Sequence, residues 1–229
     1  MPAQNRLIEL VARADRGRLL SRCESIDLVL GQIVCEPATM TRHVYFPIDG
    51  FISLIAMVAG GPGIEVGMVG REGMLGSQLA LGVATSPLHA VVQGAGSALR
   101  IGRVAFRVEL AHSATLRSAL GRYVAVLMEQ LATSAVCIRF HQIEPRLARW
   151  LLMSSDRAHS DTFRITHEFL AHMLGVRRAG ITAAAGELQR NGLIAYHRGV
   201  LTVLDRSGLE DAACPCYATD RRSYARLLP

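Results

Sequence analysis

Ala171, Gly175 and Ile181 lie at intervals of four and six residues, and Arg177 and Arg178 come one residue after the glycine, past Val176. That set has a specific chemical use. Two short helices crossing steeply need a small side chain at their closest approach, which Ala171 supplies, and an apolar plug from the second helix, which Ile181 supplies. Gly175 fits the sharp turn between them, because a positive φ strains glycine little. The sequence predicts a first helix from His167 to Leu174, capped by Thr166 with Glu168 in its first turn. A second helix is expected from about Arg177 to Arg190, ended by Asn191-Gly192. Guanidinium groups on the first turn of that second helix could make paired hydrogen bonds to guanine O6 and N7 in a DNA major groove. Gly192 to Leu204 reads as two strands around a His197-Arg198-Gly199 turn, a wing beside the helix pair.

Further groups could serve the same surface. Thr166 and His167 stand at a helix N-terminus, where backbone N–H groups and a hydroxyl can hold a phosphate. Thr182 is expected on the groove-facing side of the second helix and Arg198 at the wing tip. The charge balance permits this without demonstrating it: 25 basic residues against 19 acidic give a net charge of +6, and every basic residue is arginine. Arginine suits phosphate and guanine geometry, although GC-rich coding would also remove lysine. The excess is divided evenly between the two halves of the chain, so charge alone marks no binding half.

The elements that must position this surface follow from hydrophobic period. The first 20 residues hold one or two short helices with Leu7, Ile8, Leu10 and Val11 on one face. Short apolar runs recur from about Leu28 to Ile101: Val44–Pro47, Gly50–Ile55, Ile64–Val69, Ala90–Val92 and Ala98–Ile101. Gly60-Gly61-Pro62-Gly63 is expected at a hairpin tip. Many short strands with glycine-rich corners imply an antiparallel roll. From about Thr115 the period changes. Leu116, Leu120, Tyr123, Leu127, Leu131, Ser134 and Ile138 keep one face of a helix more than twenty residues long, the seam of a two-stranded coiled coil. That face is expected to make a dimer interface. Pro145 fits the first turn of a further helix through Leu152, with Trp150 as a core anchor. The fold class expected is α+β, divided as a β-roll over 1–111, a dimerisation helix over 112–141 and a winged helix-turn-helix over 142–229.

With these elements in order, the chain resembles the Crp/Fnr family of bacterial transcription regulators along nearly its whole length. The resemblance is most specific over Ile165–Arg178 and the Leu193-Ile194 start of the wing. In the roll it rests on glycine spacing and on Gly70-Arg71-Glu72-Gly73-Met74. It implies a homodimer that binds a palindromic operator in double-stranded DNA and recruits or blocks RNA polymerase; the expected cytoplasmic location rests instead on the lack of a secretory signal and of a membrane span. It also gives Arg178 the role of base reader and Arg177 that of a phosphate or second-base contact. Ala179, Gly180 and Ala183 replace the longer polar side chains of better-known members, so the operator should differ from theirs.

The resemblance also suggests an effector pocket at Gly70, Arg71, Glu72 and Ser86. Nucleotide-sensing members place an Arg-Ser pair beside the cyclic phosphate, whereas this chain has Ser86-Pro87. A buried phosphate without a cation is costly, and proline lacks the donor N–H. The pattern favours an empty, remodelled or differently liganded pocket over cyclic AMP. No iron–sulfur cluster is expected, because Cys23 and Cys35 are twelve residues apart and Cys137 stands on the long helix. His43, His89 and Cys137 could ligate haem but read as ordinary side chains. Cys214-Pro215-Cys216 could join histidines around a metal or respond to oxidation, yet two ligands make no site, and no metal is expected. The longest stretch free of formal charge, Gly73–Leu99, is too broken by glycine and polar residues to span a membrane. The N-terminus lacks a secretory signal. Enzymatic function has no support, for neither a Ser-His-Asp set, paired carboxylates, a P-loop nor a zinc-hydrolase motif occurs. The alternative function is a small-molecule receptor that signals through protein contacts, with the winged helix as a docking module.

Overall fold

A computed structural model describes residues 5–58 and 63–228. Of the expected hairpin tip, Gly60, Gly61 and Pro62 lie outside the described residues, and Gly63 opens a strand. Two short helices come first, α1 (Arg6–Glu9) and α2 (Arg13–Ser21). Asn5 accepts from the Ile8 N–H as the cap of α1, and its amide donates to the carbonyls of Pro47 and Gly73, tying the N-terminus to the roll.

Seven strands build that roll: β1 (Glu24–Leu28), β2 (Ile33–Cys35), β3 (His43–Pro47), β4 (Phe51–Met57), β5 (Gly63–Val69), β6 (His89–Gly94) and β7 (Gly96–Gly102). They form two antiparallel sheets, in the orders β1-β7-β3 and β2-β6-β4-β5. Tyr45, Ile52, Val69 and Val92 lie buried together between them, while Phe46 and Met68 face the helices that cover the sheets. β1 alternates polar and apolar residues from Ser25 to Leu28 and β2 is three residues long, so the apolar-run pattern of the sequence misses both.

Helix α3 (Arg103–His112) leads into α4 (Ala114–Phe140), 27 residues capped by Ser113, whose hydroxyl accepts from the Leu116 N–H. By length and composition α4 could cross a bilayer, but one of its faces packs on the roll. Leu116, Leu120 and Tyr123 enter one hydrophobic core with Phe46, Met74 and Phe106 of the roll. This corrects the expected dimer seam. Its first three residues are at most 1% exposed within their own protomer and cannot meet a partner. Leu127 and Ser134 also turn inward, while Leu131 and Ile138 remain exposed. Period alone cannot separate an inward stripe from an outward one when both are apolar.

Next come α5 (Ile143–Ala158), β8 (Thr162–Arg164), α6 (His167–Leu174), α7 (Arg178–Arg190), β9 (Ile194–His197) and β10 (Val200–Val203). The last two strands pair with β8 in the order β8-β10-β9, forming the wing. Two further helices, α8 (Arg206–Ala212) and α9 (Cys216–Leu227), turn back onto the rest of the chain. There Glu129 of α4 accepts from Ser223 and pairs with Arg226 at 2.5 Å.

Candidate nucleic-acid interface

The helix pair forms as its residue types require. Thr166 caps α6 by accepting from the Phe169 N–H, and Gly175 takes φ +63° at the turn. Ala171 is buried at the crossing and Ile181 fills the core between the helices with Leu170 and Leu188. A Cβ at Gly175 would also come within 2.6 Å of Ile64 on β5, so the turn is close-packed against the roll.

Arg177 caps α7 with extended backbone and Arg178 is its first helical residue, one position later than the sequence suggests. Both side chains are exposed. Among the described residues no carboxylate comes within ion-pair distance of either. Thr182 and Ala183 share the outward face, and Ala179 leaves it low. Gly180 has a different reason to be small: a Cβ there would stand 2.6 Å from the Ile143 side chain of α5. It serves close packing of α7 on α5 and does not shape the groove-facing surface.

His167 and Thr182 are brought together. His167 Nδ1 lies 3.1 Å from the Thr182 hydroxyl, and the imidazole stacks on Tyr196 of the wing with centroids 4.4 Å apart. Burial first, and the Arg178 charge second, lower the His167 pKa and favour the neutral ring. Its place is therefore between the helix pair and the wing, as a strut under α7. The wing tip carries Arg198 at φ +48° followed by Gly199 at φ +78°. Two successive positive φ values are the signature of a tight primed hairpin turn. Arginine at the first of them is unfavourable, and its guanidinium is held out in solvent.

The expected effector residues do not converge. Ser86 lines a cavity of about 370 Å³ in the roll with Tyr45, Leu75, Gln78 and Arg42. The Ser86 hydroxyl already accepts from the Leu88 N–H at 3.1 Å. Arg71 and Glu72 line a separate cavity of about 590 Å³, where the roll meets α5 and α9. Glu72 is paired there with Arg157 of α5 at 2.8 Å and also accepts from the Gly70 N–H. A Cβ at Gly70 would come within 2.7 Å of the Arg157 chain, so this glycine admits the arginine. In this structure, Gly70 and Glu72 hold α5 against the roll.

Sequence reasoning missed the residues of that junction. Arg157 is 7% exposed in its side chain and Arg149 pairs with Asp220 at 2.7 Å. Trp150 donates its indole N–H to Glu65 of β5 at 2.9 Å, and Ser53 donates to the same carboxylate. Burial pushes the Glu65 carboxyl up to about 7, against the pull of these two donors. The signal available was three arginines and a tryptophan on one helix, but the partners of Arg149, Trp150 and Arg157 lie 71 to 85 positions away in sequence.

A second group was also missed. Cys137 and His141 at the end of α4 meet Cys214 and Cys216, their ligating atoms all within 4.8 Å of one another. Such a set could hold a metal ion. The sequence offered only the Cys214-Pro215-Cys216 pair; chain reversal at α8 and α9 brings the other two.

Residues 145–212 match the family described as the Crp-like helix-turn-helix domain. The structure as a whole is similar to a transcriptional regulator of the Crp/Fnr family from Eubacterium rectale, at 18% identity and TM-score 0.69, covering 90% of this chain and 96% of that one. It is also similar to FixK2 from Bradyrhizobium japonicum, at 12% identity and TM-score 0.70, covering 84% and 98%. The c-di-GMP responsive global regulator CLP of Xanthomonas campestris matches at 17% identity and TM-score 0.68, covering 85% and 100%. Residues 145–212 thus form a Crp-like helix-turn-helix domain, and the chain as a whole has the fold of these solved structures. No curated protein matches in sequence. The matched helix-turn-helix is the winged unit that follows α4, and the roll stands ahead of it.

Proposed function

We propose that this chain is a transcription regulator of the Crp/Fnr type that acts as a homodimer on a palindromic operator, with Arg178 reading a guanine in each half-site. The observation that carries this reading is the pair of exposed, unpaired arginines opening α7, beside an arginine-tipped wing. Arg178 supplies the specific contact, Arg177 a phosphate or second base, and Arg198 and the Thr166 end of α6 the flanking backbone. Thr182 and His167 set the height of α7 over the wing.

The dimer seam is the outward stripe of α4. Gly121, Val124, Met128, Leu131, Ala135 and Ile138 follow alternating steps of three and four, as a coiled-coil seam requires, and Met128 is 66% exposed. Pairing there would set two α7 helices at the spacing of successive major grooves on one side of DNA. RNA polymerase is the natural partner of such a complex. The roll senses an effector through a cavity that is not built for a cyclic nucleotide. Ser86 is spent on Leu88, Pro87 has no N–H, and Glu72 is spent on Arg157.

Selection of bound fragments from random genomic DNA, with sedimentation of the winning complex, tests the proposal. Two chains per duplex and half-sites about one helical turn apart are expected, with affinity falling steeply as salt rises. Enrichment of no sequence, with flat salt dependence, would instead support a receptor that docks proteins through its winged helix.

A further inference from the structure

The Cys137, His141, Cys214 and Cys216 group has the dimensions of a single-ion site. Around a tetrahedral zinc ion with Zn–S near 2.3 Å and Zn–N near 2.0–2.1 Å, two sulfurs stand about 3.8 Å apart and a sulfur and a nitrogen about 3.6 Å apart. Here Cys137 Sγ lies 3.5 Å from Cys214 Sγ, and Cys216 Sγ lies 3.6 Å from His141 Nδ1. The three cysteines are buried and free, and they form a cluster of their own, apart from the three hydrophobic cores. The sulfurs are too far apart to be bonded and closer than three unrelated thiols have reason to gather. An iron–sulfur cluster spreads its ligands over several irons, and so over longer separations than these.

We propose that these four residues bind one thiolate-preferring divalent cation of the zinc class. Each element contributes by geometry. Cys137 and His141 are four residues apart at the C-terminal end of α4, so they share one helix face. Cys214 stands between α8 and α9, fixed by its N–H donating to the Pro145 carbonyl at 3.2 Å, and Cys216 opens α9. Binding releases three thiol protons and leaves the neutral imidazole as the fourth ligand, giving a unit of net charge −1. Arg146 and Arg149 line the same recess as Cys137 and offset that charge.

Four protein ligands leave no open coordination position, so the ion is structural. What it fastens is specific. His141 is the C-cap of α4, and α5 begins at Ile143, so the ion would pin the joint between the long helix and the DNA-reading unit to the chain's C-terminal helices. It would thereby fix the angle at which each reading head leaves the dimer.

The test is titration of cobalt(II) into the full-length chain, reduced and stripped of metal under anaerobic conditions. Saturation at one equivalent per chain is expected, with thiolate-to-cobalt charge-transfer bands and the intense visible bands of four-coordinate cobalt, both erased by added zinc. Cys214→Ser should weaken the charge-transfer intensity and the affinity, while Cys23→Ser and Cys35→Ser should leave both unchanged. An octahedral aquo-cobalt spectrum in the folded wild-type chain would overturn the proposal, and so would bands and affinity undiminished in Cys214→Ser or lost in Cys23→Ser. Because the readout is optical, it stands or falls apart from DNA binding. As a second measurement, removing the ion should weaken operator binding on the order of tenfold, within the usual range of site-to-site coupling. Unchanged operator affinity in a chain shown to lose its ion would overturn the role at the joint.

Discussion

Two sets of arginines within about fifty residues of each other do opposite work. On α5, Arg146, Arg149 and Arg157 point inward, and each is committed: Arg146 to the Leu174 carbonyl, Arg149 to Asp220, Arg157 to Glu72. On α7 and the wing, Arg177, Arg178 and Arg198 point outward with no carboxylate partner among the described residues. The chemistry of the side chain is the same, and so is the absence of lysine around it. What differs is whether the guanidinium has been neutralised by the fold or left for a ligand. A charge left unpaired at a surface is available to phosphate and base edges, whereas a buried one without its carboxylate would destabilise the protein.

The sharpest way to break that contrast is to remove one arginine from each set. Arg157→Met should strand the Glu72 carboxylate and destabilise the folded chain by about 3–5 kcal/mol, read as a lowered midpoint in urea. Loss of DNA binding without loss of stability would contradict the assignment. Arg178→Ala should do the reverse, weakening the selected operator by about 1–3 kcal/mol while stability and affinity for random duplex hold nearly constant. Glu65 sharpens the inward side of the comparison through pH. Its folded carboxyl lies near 7 against an ordinary 4.5, so its stabilising contribution is complete below about 4.5 and is lost as pH rises through 7. The loss should reach about 1–2 kcal/mol, less than the full shift implies because the residue keeps partial contact with water. In Glu65→Gln, equilibrium unfolding at pH 5 and pH 8 should show that component gone. Arg198→Gly should have the smallest effect. It relieves the positive φ, raises stability by up to about 1 kcal/mol, and lowers the salt slope of DNA binding by about one.

These two sets also mark how far the sequence could be read. The outward arginines were legible because α6, Gly175 and α7 are specified locally: cap, turn and plug all lie within 16 residues, from Thr166 to Ile181. The boundaries His167–Leu174 match the expected helix residue for residue. The inward arginines were not legible, because Arg157 acquires its meaning from Glu72 and Arg149 from Asp220, across the junction of roll and winged helix. The dimer helix fell between these cases. Its length and apolar character were readable from Leu116 to Ile138, but its expected outward face proved half buried, because the roll covers Leu116, Leu120 and Tyr123 and leaves Val124 and Met128 further out. Glu72 and Ser86 were matched to the effector pocket by resemblance, and backbone placement puts them in separate cavities. Cys137 and His141 became ligands in waiting only when α9 folded back, a contact between positions 75 or more apart.

The most direct test of the central claim is one competition titration. Wild-type chain and Arg178→Ala are each titrated by fluorescence anisotropy against the selected palindrome and a scrambled duplex of equal length, at two salt concentrations. The account predicts a wild-type preference for the palindrome that collapses in Arg178→Ala, by roughly tenfold or more per half-site, with scrambled-duplex affinity and its salt slope little changed. Equal losses on both duplexes would reduce Arg178 to one more positive charge and contradict base reading by α7.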